Sequence, residues 1–168
     1  MAKKSRAKGK LYESKIDLPE ERRAALVELC NQLLADTFDL YSMAKQAHWN
    51  VKGMEFRQLH ELFDGVAEAL FPFVDELAER ATTLGGVALG TVRLAAAASR
   101  LEEYPSGLAQ GREHLEAVRD RLARYCGALR DAIEEADGHG DPTTADLITE
   151  ASRVADLQLY FVESHLQG

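Results

Sequence analysis

Apolar residues recur at every third or fourth position over four long stretches of the chain, which is the period of an amphipathic helix. The first stretch follows the candidate N-cap Asp17 and runs to about residue 47. Its apolar positions are Leu26, Leu29, Leu33, Leu34, Phe38 and Tyr41. A second helix is predicted over about 55–83, because Gly85-Gly86 then provides a typical C-terminal stop. Pro72 lies inside it, should remove one backbone hydrogen bond and favours a kink.

The second half of the chain repeats this pattern after a long connection over residues 87–105. A third helix is predicted over about 107–136, and a fourth runs to about residue 165. Thr143 and Asp146 resemble a capping box at the start of the fourth helix. The run Ala95–Ala98 favours a short helix inside the connection. Four long helices with one long link predict an all-α four-helix bundle, although periodicity alone also fits a helical bundle without a functional site.

Charge divides the chain into a basic segment and an acidic remainder. The formal net charge of the 168 residues is −8, yet residues 1–10 contain five basic side chains and no acidic one. These five are Lys3, Lys4, Arg6, Lys8 and Lys10. We therefore predict a flexible basic arm over 1–16 and a helical bundle over 17–168. The arm suits polyanions, whereas the acidic bundle attracts cations.

Composition and cysteine usage favour a protein of the cytoplasm. No apolar run approaches the roughly 20 residues that span a bilayer, so no contact with a membrane is expected. The N-terminus is basic but lacks the apolar core of a signal peptide. Cys30 and Cys126 lie far apart in helical patterns, without a Cys-x-x-Cys or Cys/His pairing. We expect them to be reduced thiols that are buried or half buried.

The residues that carry chemistry are His48, His60, Asp64, Asp75 and Glu79. The last four lie on the second predicted helix within an arc of roughly 100°. Asp64 and Asp75 are nevertheless about 16 Å apart along the helix axis, too far to share one metal ion. Either the two pairs are unrelated surface groups, or an antiparallel copy of this helix brings its own Asp75 and Glu79 opposite His60 and Asp64. In the second case a two-fold axis creates two identical sites per dimer, and imidazole with carboxylate ligands suits iron.

Three segments of the sequence resemble the Dps family, the DNA-binding proteins from starved cells. They are AKQAHWNVKG over 44–53, LHELFDG over 59–65 and DELAERATTLGGVALGT over 75–91. The spacing of the five candidate ligands matches the family's ferroxidase pattern, and the segment over 144–166 resembles its last helix. The resemblance covers the chain from about residue 11 onward. It implies a ferritin-like four-helix bundle with a short extra helix near residues 92–100.

The resemblance also implies a function. Copies of the chain would form a hollow homododecamer, in which His48, His60 and Asp64 of one subunit face Asp75 and Glu79 of its two-fold partner. Such sites oxidise Fe(II), commonly with hydrogen peroxide, and the shell stores the ferric mineral. Two irons at one site would allow a two-electron step, which protects DNA from hydroxyl radicals.

Several other residues take roles only through this resemblance. Trp49 would lie near the site, although an interface tryptophan is the simpler interpretation. Asp141 and Asp146 are candidates for an entry pore, while an Asp at a helix N-terminus also has a capping explanation. His139 in the preceding loop is a further metal candidate or an exposed loop histidine.

The basic arm resembles the lysine-rich arms with which some members of the family bind DNA. A cationic arm contacts phosphates without reading bases, so the expected binding is non-specific and sensitive to salt. The protein would then be associated with the nucleoid. A solubilising tail is the alternative interpretation. Two other functions remain open at this point: a structural protein that compacts the nucleoid, and a shell that binds zinc or copper without turnover.

Overall fold

The computed structural model describes residues 10–167 as a bundle of four long helices and one short helix. The helices are α1 (Glu20–Asn50), α2 (Phe56–Thr83), α3 (Val92–Ala98), α4 (Gly111–Gly138) and α5 (Pro142–Ser164). Helices α1 and α2 pack along each other, as do α4 and α5, and α3 lies against α1 in the long connection. The all-α, ferritin-like architecture predicted from the sequence is confirmed. Within residues 10–167, no helix is long and apolar enough to cross a membrane.

All four long helices contribute to one core. Leu33, Phe63, Leu70, Leu122 and Ile148 have no exposed surface, and burying each such side chain stabilises the fold by about 1.5–3 kcal/mol. Tyr125 is also fully buried, and its hydroxyl lies 2.6 Å from that of Thr37. Cys30 and Cys126 are buried free thiols, as expected.

Two predicted helix caps are wrong. Helix α1 begins after Pro19, and no side chain caps its first turn, so Asp17 does not act as the N-cap. Helix α5 is capped by Asp141, whose carboxylate accepts a hydrogen bond from the backbone N–H of Thr144. Thr143 and Asp146 therefore do not form its capping box, because Pro142 already occupies the first turn of the helix.

Helix boundaries differ from the prediction where backbone conformation intervenes. Helix α4 begins four residues later than predicted, since Gly107 has φ of +95° and lies outside the helical region. Helix α2 continues through Pro72, as the sequence indicated. Asp36 fixes the long connection, because its buried carboxylate accepts hydrogen bonds from the backbone N–H and the guanidinium of Arg100. That ion pair was not anticipated.

Part of the predicted arm is attached to the bundle. The backbone N–H of Tyr12 donates to the carbonyl of Gly85 at 2.7 Å, and buried Arg23 donates to the carbonyls of Tyr12 and Leu84. Leu11 and Ile16 also pack against the core. Leu11, Tyr12 and Ile16, which the sequence placed in the arm, therefore contact the bundle. The predicted DNA contacts at Lys3, Lys4, Arg6 and Lys8 lie outside the described residues, and only exposed Lys10 lies within them.

Candidate metal centre

Two helix ends bring His48 and His60 together. His48 lies in the last turn of α1 and His60 in the second turn of α2, on either side of the tight turn that contains Gly53. This turn needs glycine, because φ at Gly53 is +116°. The imidazole rings stack with their centroids 3.7 Å apart and their planes inclined by 22°. Both side chains are half buried.

The two histidines exchange hydrogen bonds with each other's backbone. Nδ1 of His48 donates to the carbonyl of His60 at 2.7 Å, and Nδ1 of His60 donates to the carbonyl of His48 at 2.8 Å. A carbonyl oxygen can only accept, so each Nδ1 must carry a proton. The lone pair of each neutral imidazole is therefore on Nε2, the atom free to bind a metal ion. Such bonds to the other ring nitrogen are how proteins fix the tautomer and orientation of metal-binding histidines.

Asp64 completes a cluster of three with the histidines. Its Oδ1 lies 3.9 Å from Nδ1 of His48 and accepts a hydrogen bond from Lys45 Nζ at 2.5 Å. The hydrogen bond from Lys45 holds the pKa of Asp64 below its usual value, and the neighbouring histidines act in the same direction. The carboxylate is therefore ionised at neutral pH, but one of its oxygens already accepts a hydrogen bond from the Lys45 ammonium group.

Asp75 and Glu79 do not join this cluster within one subunit. Both are exposed on the same helix, and Asp75 is about 16 Å from Asp64 along the axis. Within residues 10–167, no group of three or more His, Cys, Asp or Glu side chains is arranged to hold a metal ion. One subunit thus provides two separated parts of the predicted ligand set, which is what a site shared between copies requires.

The sequence reasoning missed an acidic group beside Asp75 and Glu79. Burial raises the pKa of Glu76, and the carboxylates of Glu150, Asp75 and Glu79 raise it further. Glu150 lies on α5, so this group joins two helices that no sequence motif connects. The periodic pattern placed Glu150 on the last helix but could not show which side of α2 it faces.

Exposed aromatic side chains flank the candidate site. Trp49 follows His48 and has 61% of its surface exposed, while Phe56 packs against His60 with ring centroids 5.0 Å apart. Further along α2, Phe71 is 52% exposed and contacts Tyr41. Apolar exposure on this scale around a cluster of polar ligands is typical of a surface that another protein covers.

The two predicted pore residues have different environments. Asp141 is buried, and its carboxylate accepts hydrogen bonds from Arg80 and from Thr144. Burial alone would raise its pKa, but the bonds from Thr144 and Arg80 outweigh burial and lower it. The geometry therefore favours the capping explanation for Asp141. Asp146 is exposed and keeps its place as a pore candidate, while the carbonyl of His139 accepts a hydrogen bond from Arg22.

Comparisons with known proteins agree with this architecture. The family model described as a ferritin-like domain matches residues 27–168. The chain is 39% identical over 158 residues to the DNA protection during starvation protein of Agrobacterium fabrum, covering 94% of this chain and 98% of the relative.

Solved structures give the same result. DpsC from Streptomyces coelicolor has a TM-score of 0.91 and 30% identity, with 99% of this chain and 97% of that chain covered. A Dps protein from Vibrio cholerae O1, described as a member of a broad superfamily of ferritin-like diiron-carboxylate proteins, has a TM-score of 0.86 and 26% identity, with 97% and 100% covered. The chain belongs to the Dps family of ferritin-like proteins.

Proposed function

We propose that this protein is a ferroxidase that oxidises Fe(II) with hydrogen peroxide at sites shared between two-fold-related subunits. Copies of the chain assemble into a hollow homododecamer that stores the ferric product and protects DNA from oxidative damage. The observation that carries the proposal is the reciprocal pair of His48 and His60, which leaves both Nε2 lone pairs available in a cluster that also contains ionised Asp64. Asp75 and Glu79 of the partner subunit supply the remaining ligands.

Each ligand in this set has a defined task. The backbone carbonyls hold His48 and His60 in the tautomer that binds a metal ion, and this arrangement strengthens the imidazole as a ligand. Neutral imidazole suits Fe(II), whereas the carboxylates of Asp64, Asp75 and Glu79 stabilise the harder Fe(III) product. The exposure of Asp75 and Glu79 leaves them accessible to a partner.

Electrostatics also favour a cation in the assembled site. Docking Asp75 and Glu79 against Asp64 brings three carboxylates together, and like charges at short range repel unless a cation neutralises them. Lys45 offsets part of this repulsion in the absence of iron. A cation that displaces the Lys45 ammonium would gain both oxygens of Asp64, and two irons at each site are part of this proposal.

The electron balance explains the protective role. Two Fe(II) ions supply two electrons, which with two protons reduce one hydrogen peroxide molecule to two water molecules. No single-electron reduction of peroxide occurs, so no hydroxyl radical is released. The protein contributes the binding and orientation of iron, while iron and peroxide are the substrates.

The basic arm gives the protein a second partner in this proposal. Lys3, Lys4, Arg6, Lys8 and Lys10 contact DNA phosphates non-specifically. Many arms on one shell add weak contacts through multivalency. The protein would accordingly work in the cytoplasm in association with the nucleoid.

Stopped-flow absorbance of Fe(II) oxidation by peroxide tests the ferroxidase activity. The His48→Ala/His60→Ala double variant should oxidise iron at the protein-free rate while remaining assembled. His165→Ala is a matched control, because this exposed histidine at the C-cap of α5 also bonds a backbone carbonyl through Nδ1 but lies outside the cluster. Equal rates in the wild type and the double variant would leave DNA binding, or binding of zinc or copper without turnover, as the function.

A further inference from the structure

An open pocket lies beside the candidate metal centre. Its volume is about 350 Å³, and its wall on α2 consists of Asp64, Ala67, Glu68, Phe71 and Pro72. Tyr41 of α1 closes another side, with its ring centroid 5.0 Å from that of Phe71. Phe71 is 52% exposed at the edge of this pocket. A half-exposed aromatic side chain next to an open pocket is typical of a surface that a second molecule covers.

The proposed metal site fixes how a second copy would meet this surface, and the following inference rests on that proposed function. His60 must face the partner's Glu79, and Asp64 must face the partner's Asp75. In an antiparallel pair of identical helices, the midpoint of every facing pair lies at the two-fold axis. Both midpoints fall between Ala69 and Leu70.

Apart from Asp64, which is one of the candidate ligands, the α2 residues that line the pocket are arranged symmetrically about this point. Ala67 and Pro72 lie equally far along α2 from this midpoint, as do Glu68 and Phe71. The register therefore places the partner's Phe71 level with Glu68, and the partner's Pro72 level with Ala67, directly over the pocket. Phe71 also lies only about 20° from Asp64 around the helix axis, so it projects toward the same neighbour.

We propose that Phe71 is a wedge that enters this pocket on a second copy of the chain and thereby sets the register of the shared metal site. The contact is reciprocal, because a two-fold interface presents the same surface on both subunits. An aromatic side chain filling a pocket at the centre of an interface is a common source of binding energy. In this arrangement the wedge, rather than the metal ligands, holds the two half-sites in register before iron arrives.

Cross-linking of the assembled, metal-free protein tests the register. In two facing copies of the Glu68→Cys variant, the introduced cysteines would lie within about 5 Å of each other along the helix axis. In two copies of the Arg57→Cys variant, they would be about 37 Å apart. Both positions are exposed on α2, and the native Cys30 and Cys126 are buried. A short bis-maleimide should link Glu68→Cys into covalent dimers and leave Arg57→Cys unlinked. Equal linking of both variants, or none for Glu68→Cys in a verified oligomer, would overturn the register.

The wedge itself is tested by dilution in the Glu68→Cys background. Phe71→Ala should lower the concentration-dependent yield of cross-linked dimer, shifting its midpoint by at least about tenfold. Phe71→Leu keeps an apolar side chain and should shift the midpoint much less. Tyr160→Ala, which truncates an exposed aromatic residue on α5, should leave the yield unchanged. An unchanged yield for Phe71→Ala would refute the wedge and leave the pocket to a small ligand.

The two proposals can fail separately, because cross-linking is measured without iron. If Glu68→Cys is linked but the wild type does not oxidise Fe(II), the inferred interface holds and the ferroxidase proposal fails. If iron is oxidised while Glu68→Cys stays unlinked in the assembled protein, the ferroxidase proposal holds and the register is wrong.

Discussion

The two parts of the candidate metal site differ in how completely one subunit builds them. His48 and His60 are oriented by reciprocal hydrogen bonds, and Asp64 is held by Lys45. We call this cluster the histidine half. Asp75 and Glu79, the acidic half, are exposed on the surface of α2. An imidazole binds a metal ion only through a directed lone pair and gains from preorganisation, whereas an exposed carboxylate can rotate to meet an incoming cation.

The two halves also differ in electrostatics. Lys45 lowers the pKa of Asp64, so the histidine half contains its own counter-charge. Beside the acidic half, burial and the carboxylates of Glu150, Asp75 and Glu79 raise the pKa of Glu76, which shows that negative charge is concentrated there. A subunit thus presents a partly neutralised half and an acidic half on the same helix face, which favours antiparallel pairing of two copies.

Variants that each lack one half of the site should show the largest change in the rate of Fe(II) oxidation. Asp75→Ala and His60→Ala should each lower the rate of Fe(II) oxidation by at least about 100-fold, since even outer-shell changes at metal sites cost 10–100-fold. In shells mixed from equal amounts of the two variants, about a quarter of the sites would combine two intact halves. Stopped-flow rates of verified mixed shells should therefore recover to about a quarter of the wild-type rate. No recovery would mean that the halves do not meet across subunits.

Loss of the Arg80–Asp141 ion pair beside the acidic half should have the next largest effect. Arg80 follows Glu79 and forms a buried ion pair with Asp141 at the start of α5. Asp141→Ala should lower the free energy of unfolding by about 3 kcal/mol, because it leaves the guanidinium of Arg80 with its bond to Thr144 but without a carboxylate to balance its charge. Chemical denaturation measures this loss. Asp146→Ala, which truncates an exposed carboxylate on the same helix, should change stability by less than about 0.5 kcal/mol.

The pH dependence of stability should reflect the same ion pair. The pKa of Asp141 is lower in the folded protein than in the unfolded chain. Its contribution to stability is therefore complete above the unfolded value of about 3.9 and is lost as the pH falls through the folded pKa. Thermal unfolding between pH 3 and pH 7 should show a smaller acid-induced loss of Tm for Asp141→Asn than for the wild type. Parallel curves for the two proteins would contradict the assigned pKa shift.

Replacement of Lys45 should change the histidine half by a smaller amount. Lys45→Met removes the ammonium group that competes with a cation for Asp64, so Co(II), a stand-in for Fe(II) that peroxide-free buffer leaves unoxidised, should bind about two- to fivefold more tightly. Isothermal titration calorimetry provides the measurement. Lys45→Arg retains the positive charge and should resemble the wild type. Weaker binding by Lys45→Met would show that Lys45 supports the site rather than competes for it.

The smallest expected effect is spectroscopic. Trp49 is the only tryptophan of the chain and is 61% exposed in one subunit. Coverage by a partner should shift its fluorescence to shorter wavelength when subunits assemble, because the indole then leaves water. Emission spectra across a dilution series measure this shift. An unshifted spectrum in the assembled protein would place Trp49 outside the interface.

Much of the fold could be predicted from local patterns, and the failures have local causes. The period of apolar residues predicted all four long helices, and the alanine run over 95–98 predicted the short α3, because helix formation depends on residues close in sequence. The caps at Asp17 and Thr143 were predicted wrongly, since Ser, Thr and Asp near a helix start compete for the same backbone groups and Pro19 and Pro142 decided the outcome. The ion pair between Asp36 and Arg100 could not be found, because its partners lie 64 residues apart.

The sequence by itself determined the candidate ligands, the shared face of four of them on α2 and the 16 Å gap that excludes a site within one helix. It also determined the resemblance to the Dps family, which the comparisons confirm. Only the tertiary structure decided that His48 and His60 fix each other's tautomer. It also decided that Lys45 donates a hydrogen bond to Asp64 and that buried Asp141 pairs with Arg80. These features depend on distances between side chains on different helices, and helical periodicity specifies the face of each residue but not the neighbour that this face meets.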